Sequence, residues 1–192
     1  MNTRQVRFLL VFFLISCSFF SQNVNSTIDL SKINFDLLES AFSQKLNALR
    51  KEKDCTELPA DPILKKAGKD QADYMLKNKL LTHSQTKKEK ETPQKRVFYY
   101  KGTHDQIGEN CIQIYLQKPM TTKYNRKPFT VTTYAEAAEA LYQGWKNSPK
   151  HYANMITKAY DVQGLGFAFG KDDNVSFIAI VCTRWISPKS FM

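Results

Sequence analysis

The sequence predicts an α+β domain, because its helical and β segments come in groups and do not alternate one by one along the chain. Two helical segments come first, one β segment follows, two more helical segments come next, and two β segments end the chain. No internal repeat is present. The 192 residues suit one domain with a core of its own after removal of a leader. We expect this domain to span 32–187.

The first two helices are predicted from their apolar period and from a start signal. Apolar residues recur at steps of three and four over 32–50, which indicates an amphipathic helix. Asp61 and Pro62 then supply an N-cap and a proline at the first helical position. We expect the second helix to continue to about residue 79.

The two later helices have start signals of the same kind. Thr133 and Glu136 have the spacing of a capping box. Ser148 and Pro149 again predict a cap and a first turn, here for a short helix through about Ile156. For Ser148 we favour this capping role over that of a nucleophile.

The remaining segments are predicted as strands or loops. Apolar residues on one side of 107–116 indicate a strand, and 162–169 with 175–185 indicate a hairpin. The charged stretch 83–103 lacks clear periodicity and is predicted as a long loop. The basic, proline-containing stretch 117–132 is predicted as a second loop.

The first 18 residues predict a signal peptide. Arg4 and Arg7 precede the apolar run Phe8–Ile15, which is too short to span a bilayer. No later segment is long or apolar enough for a membrane helix. The sequence therefore predicts export to the periplasm or the extracellular space.

A second interpretation of the leader remains open. Leu14–Cys17 resembles a lipobox, so the leader would end before Cys17 and that residue would carry a lipid anchor. We favour plain secretion, because the apolar Phe19 and Phe20 lie shortly after Cys17 and are unusual in a lipoprotein tether. The polar residues 19–31 are predicted as a tether.

The cysteines fit an exported protein without fixing a disulfide. Outside the leader there are three, Cys55, Cys111 and Cys182, so they cannot all pair within one chain. Cys111 and Cys182 both lie in predicted strands and are the best candidate pair. The alternative is three reduced thiols, two of them packed as small apolar side chains.

The basic composition indicates a solvated surface or an anionic partner. The formal net charge is +10, and the excess lies in the two predicted loops. Attraction to an anionic envelope component is the functional alternative to simple solvation. Nucleic acid is not expected as a partner, because the protein is predicted to be exported and carries no recognisable binding motif.

Several motifs, taken in order, resemble the CAP superfamily of cysteine-rich secretory proteins, antigen 5 and pathogenesis-related 1 proteins. This family is also called the SCP domain, and the form here is similar to its bacterial members. The resemblance covers about 35–185. The motifs are LTHSQ at Leu81–Gln85, GEN at Gly108–Asn110, GWKNSPKHYAN at Gly144–Asn154, Tyr160, and GLG at Gly164–Gly166.

The resemblance implies a three-layer α-β-α sandwich with a central, mainly antiparallel sheet. It also implies a cleft that gathers two histidines and two acidic residues, of which His83, Glu109 and His151 match three. The fourth position is Ser148 in this chain, where the family carries a glutamate. His104 lies outside the matched motifs and is expected at the surface.

The chemistry of this residue set leaves two interpretations open. The imidazoles of His83 and His151 suit a divalent cation such as Zn²⁺, with Glu109 as a third ligand, a base or a hydrogen-bond partner. The alternative is a buried polar network that braces helix against sheet.

The predicted function is an exported binding or interaction module whose cleft holds a small ligand, a lipid or a divalent metal. The family has no single shared activity, so the fold does not fix the function. One alternative is a metal-assisted hydrolase with His83 and His151 as ligands and Glu109 as base, and another is a structural envelope protein. The missing second carboxylate favours a role without catalysis.

Overall fold

The computed structural model describes residues 23–103, 106–171 and 177–187, and from residue 171 onward it describes the backbone alone. The predicted leader with Cys17, His104 and the side chain of Cys182 lie outside this description. No helix in the described part of the chain is long and apolar enough to cross a membrane.

Five α-helices and five strands make up the described fold. The helices are α1 (Phe35–Glu52), α2 (Pro62–Asn78), α3 (Pro93–Tyr99), α4 (Tyr134–Lys146) and α5 (Pro149–Met155), and a 3-10 turn covers Lys88–Lys90. The strands are β1 (Gln106–Leu116), β2 (Pro119–Met120), β3 (Phe129–Thr130), β4 (Val162–Lys171) and β5 (Phe177–Ser187).

The central sheet has three antiparallel strands in the order β1-β5-β4, and β2 pairs with β3 in a small second sheet. Helices cover both faces of the central sheet. Ile114 and Phe167 pack on one face in the core shared with α1 and α4, whereas Cys111 and Ala168 pack on the other face against α2. Since successive strand residues point to opposite faces, this arrangement gives the three-layer α-β-α sandwich that the resemblance implied.

The sequence signals for helix starts are confirmed. The Asp61 carboxylate accepts a hydrogen bond of 2.8 Å from the Leu64 amide at the start of α2. At the start of α4, Thr133 and Glu136 form both hydrogen bonds of the capping box. These caps satisfy backbone donors that the first helical turn leaves without a partner.

The stretch 83–103 differs from the predicted loop, because it contains α3. The Thr92 side chain caps this helix with a hydrogen bond of 3.2 Å from the Lys95 amide, and Pro93 occupies its first turn. The helix has seven residues, which is too short for an apolar period to be recognised in the sequence. The loop predicted over 117–132 likewise contains the two short strands β2 and β3.

The described part of the predicted tether packs onto the domain. Ile28 is buried in the main core, and its amide donates to the Thr132 carbonyl over 2.8 Å. Thr27 forms an isolated bridge with Thr133. Val24 and Leu30 pack against the same core, so apolar side chains together with backbone hydrogen bonds hold this segment on the domain.

Two glycines of β4 allow α2 to lie directly on the sheet. A Cβ atom at Gly166 would overlap the backbone of Gly68 and Lys69 in α2, and one at Gly164 would overlap Leu64 and Lys65. Backbone atoms of a helix cannot move aside as a side chain can. The distance between α2 and the sheet therefore depends on these two positions.

Replacing Gly166 by alanine is expected to lower the free energy of unfolding by at least about 2 kcal/mol, because the added methyl group forces α2 away from the sheet. Denaturant unfolding followed by circular dichroism measures the change. Gly170→Ala is the matched control: its Cβ would lie 3.0 to 3.4 Å from atoms of the flexible Leu76 side chain. Equal losses in the two variants would contradict this account of α2 packing.

Candidate functional site

His83 and Glu109 lie in direct contact beside the α2 face of the sheet. The His83 Nδ1 atom is 3.0 Å from Glu109 Oε1. The Glu109 side chain is 2% exposed, while that of His83 is 53% exposed. The pair therefore joins a buried carboxylate to an imidazole that solvent reaches.

Arg96 completes this contact from α3. Its Nη2 atom donates to both Glu109 oxygens, over 3.0 and 2.9 Å, and to the His83 carbonyl over 2.9 Å. Its Nη1 atom donates to the Lys90 carbonyl over 2.8 Å. The Arg96 side chain is fully buried, so the guanidinium is held inside the protein by its hydrogen-bond partners.

This arrangement assigns the proton of the His83 ring. Glu109 is paired with a guanidinium and so acts as an acceptor. A neutral His83 then carries its proton on Nδ1 and keeps the lone pair of Nε2 for another partner. Carboxylate–histidine pairs of this kind orient histidines that bind metals.

His151 lies on α5 and is half-buried. The Asn110 side chain donates to the His151 carbonyl over 3.0 Å, and the Asn154 side chain donates to Asn110 over 2.8 Å. Burial lowers the pKa of His151 below its usual value, and repulsion from His83, when that ring carries a charge, lowers it further. The neutral form of His151 is therefore favoured.

The expected capping bond of Ser148 is absent. Ser148 does occupy the N-cap position of α5, but its side chain makes no cap hydrogen bond, and its carbonyl accepts from the Tyr152 amide over 2.8 Å. In the described part of the chain no hydrogen bond joins the Ser148 hydroxyl to His83, Glu109 or His151. Trp145 is buried, with its ring edge-on to Phe42 at a centroid distance of 5.1 Å.

Cys111 is a neighbour that the sequence interpretation did not place in the cleft. Its Sγ atom lies 3.6 Å from His83 Nδ1 and 3.7 Å from Glu109 Oε1. The alternation of side chains along a strand could have revealed this, because Glu109 and Cys111 are two residues apart on β1 and share a face.

The backbone register also places Cys111 opposite Cys182 on β5. The amide and carbonyl of Gln163 bond to Pro59 and Asp61, away from β5. Along a strand, the backbone N–H and C=O groups of successive residues point alternately to the two neighbouring strands, so the register places the groups of residue 182 toward β4. Cys111 and Cys182 are therefore a non-hydrogen-bonded pair. Such pairs have Cα atoms about 4.5 Å apart, within the range that disulfides span. The disulfide itself stays a prediction.

Residues 44–183 match the model of the cysteine-rich secretory protein family, CAP. The fold is similar to that of an outer surface protein from Borrelia burgdorferi, with a TM-score of 0.56 and 20% identity, over 82% of this chain and 98% of that chain. A comparison with curated protein sequences finds no match.

A second similar structure is an extracellular protein containing an SCP domain from Bacillus anthracis. The TM-score is 0.56 and the identity 16%, over 82% of this chain and 45% of that chain. The chain thus spans less than half of the Bacillus protein. At these identities the two structures confirm the α+β fold alone.

Removal of the Arg96 charge is expected to destabilise the protein strongly. In Arg96→Met the Glu109 carboxylate stays buried without its guanidinium, which costs about 3 to 5 kcal/mol of unfolding free energy. Urea unfolding measures this loss. Lys95→Met is the matched control, because Lys95 forms an exposed pair with Glu91 and its loss costs at most about 1 kcal/mol. Comparable losses in both variants would contradict a structural role for Arg96.

The lowered pKa of His151 predicts a loss of stability in acid. Below its ordinary value of 6.5 the unfolded chain takes up a proton that folded His151 does not, so the free energy of unfolding falls as the pH decreases. Above that pH the contribution is complete. Unfolding measured between pH 5 and 8 should show a smaller acid loss for His151→Gln than for the wild type. An unchanged slope in His151→Gln, or the same change in His104→Gln, would contradict the assignment.

Proposed function

The chain belongs to the cysteine-rich secretory protein family, CAP, and we propose that it acts as an exported binding module of this family. The cleft between His83 and His151 is the proposed binding site. Glu109 and Ser148 are the other two candidate residues of this cleft. Of the ligand classes expected from the sequence, a divalent cation such as Zn²⁺ has the most specific support. A small ligand or a lipid would use the same cleft.

The observation that carries this proposal is the contact of His83 Nδ1 with Glu109, which Arg96 holds in place. This contact orients the imidazole of His83 and leaves its Nε2 lone pair for a ligand. The His83 side chain is exposed, so a ligand can reach it. His151 has a lowered pKa, which favours the neutral imidazole, the form that can coordinate a cation. Two neutral imidazoles and water are a weak but workable donor set for zinc.

The same contacts weigh against the metal-assisted hydrolase. Both Glu109 oxygens accept hydrogen bonds from Arg96, and one of them also contacts His83. Taking a proton from a bound water would disrupt these contacts, and Ser148 supplies no second carboxylate. We therefore favour ligand binding over hydrolysis.

Export is part of the proposal. The basic and apolar start of the sequence has the pattern of a signal peptide, and the two similar structures are described as an outer surface protein and an extracellular protein. Secretion into the periplasm or the medium is favoured. A lipid anchor at Cys17 is the alternative, and it would hold the same domain at a membrane surface.

Zinc titration by calorimetry tests the cation site. The titration uses the mature chain with Cys55, Cys111 and Cys182 replaced by serine, because free thiols bind zinc on their own. In this background one ion should bind, and adding His83→Ala or His151→Ala should weaken binding about tenfold or more.

His104→Ala is the control for zinc titration, because it removes an imidazole that lies outside the family motifs in the sequence. It should leave the affinity unchanged. The proposal is contradicted if the cysteine-free chain binds no zinc, or if the three histidine variants all bind equally. Thermal unfolding of each variant shows whether a loss of binding reflects a loss of fold.

A further inference from the structure

Three donor atoms form a triangle on the buried side of His83. His83 Nδ1 lies 3.0 Å from Glu109 Oε1 and 3.6 Å from Cys111 Sγ, and Oε1 lies 3.7 Å from Sγ. The triangle joins an exposed histidine to two buried side chains. It does not include His151, and it lies on the opposite side of the His83 ring from Nε2.

The edges of this triangle fit a tetrahedral metal ion. With metal–nitrogen and metal–oxygen bonds of about 2.0 Å and a metal–sulfur bond of about 2.3 Å, tetrahedral geometry requires ligand separations of about 3.3 Å and about 3.5 Å. The observed separations differ from these by a few tenths of an ångström. An ion could therefore enter with small side-chain movements, and a water would complete its coordination.

We propose that in the reduced protein His83 Nδ1, Glu109 Oε1 and Cys111 Sγ form an inner cation site for a thiophilic divalent ion such as zinc, cobalt or cadmium. This inner site goes beyond the cation position between His83 and His151. The two positions use different nitrogens of His83, and Glu109 is a ligand of the inner site but only the hydrogen-bond partner of His83 at the outer one. A thiolate ligand favours such ions over magnesium and calcium, which prefer oxygen donors.

Charge and burial support the inner site. A carboxylate and a thiolate supply two negative ligands, and both residues are buried. Arg96 still donates to Glu109 Oε2 over 2.9 Å when Oε1 turns a lone pair to the ion, because each carboxylate oxygen has two lone pairs. The His83 side chain is 53% exposed, so one ligand of the inner site is in contact with solvent.

Occupation of the inner site changes protons and no electrons. The Cys111 S–H bond breaks, its proton passes to buffer, and a metal–sulfur bond forms. The His83 proton leaves Nδ1, which binds the ion, and is carried on Nε2 instead. Since a neutral imidazole has one free lone pair, His83 serves either the inner site or the outer position, and the protein holds one ion through His83 at a time.

Cobalt titration of the mature chain, reduced with a phosphine, tests the inner site. A cobalt–thiolate charge-transfer band should appear in the near ultraviolet for the wild type, for His151→Ala and for Cys55→Ser. The band should be lost in Cys111→Ser and in His83→Ala. Cys111→Ala provides a second removal of the sulfur, and thermal unfolding shows that each variant is folded.

The possible results separate this inference from the proposed function. No band in the wild type, a band that persists in a folded Cys111→Ala, or a band that depends on His151 or Cys55 overturns the inner site. Zinc titration of the cysteine-free chain tests only the outer position. Either experiment can therefore fail while the other succeeds.

Discussion

The buried ion pair between Arg96 and Glu109 is the interaction on which the site depends. It connects α3 to β1, and through the His83 carbonyl it also fixes the segment that follows α2. Taking two charges out of water is expensive unless hydrogen bonds satisfy them. Here the guanidinium has the carboxylate and backbone carbonyls as partners. The His83 carbonyl is one of the acceptors that the buried Arg96 requires, and this requirement fixes the position of His83.

The packing of α2 provides the second constraint on His83. Gly164 and Gly166 bring α2 onto the sheet, and Lys79, the C-cap residue that follows α2, has a left-handed conformation with φ of 51°. The buried side chain of Gln71, a residue of α2, donates a hydrogen bond to the Thr82 carbonyl over 2.6 Å. The residue before His83 is therefore hydrogen-bonded to α2, and the carbonyl of His83 accepts a hydrogen bond from Arg96. A histidine anchored on both sides can be exposed and still well oriented.

The sequence was sufficient for the framework because its signals are local. Caps such as Asp61-Pro62 and Thr133 with Glu136 specify helix starts within a few residues, and the spacing of the motifs indicated the family. Arg96 could not be recognised in the same way, because it lies in a run of lysines that has the composition of a solvated loop. Its burial depends on Glu109, which is distant in the sequence. The proline after Thr92 was the one local sign that a helix interrupts this run.

The limit of local signals in the sequence also explains how Cys111 and Ser148 were interpreted. Two cysteines in predicted strands suggested a disulfide, and the register does place Cys111 opposite Cys182, but strand alternation alone would also have placed Cys111 beside Glu109. Ser148 occupies the N-cap position of α5, but its side chain does not form the capping hydrogen bond. That bond depends on the side-chain rotamer, which the neighbouring residues in the sequence do not specify.

The predicted disulfide and the proposed inner site exclude each other, because the sulfur of Cys111 cannot both bind an ion as a thiolate and bond to Cys182. In an oxidising compartment the disulfide would remove the sulfur from the inner site, and the Nδ1 proton of His83 would stay with Glu109. The Nε2 lone pair would then face the outer position and His151. In a reducing compartment the thiolate would favour coordination through Nδ1 and place the proton on Nε2. The redox state of a residue on the sheet would in this way decide which side of a single imidazole binds the ion.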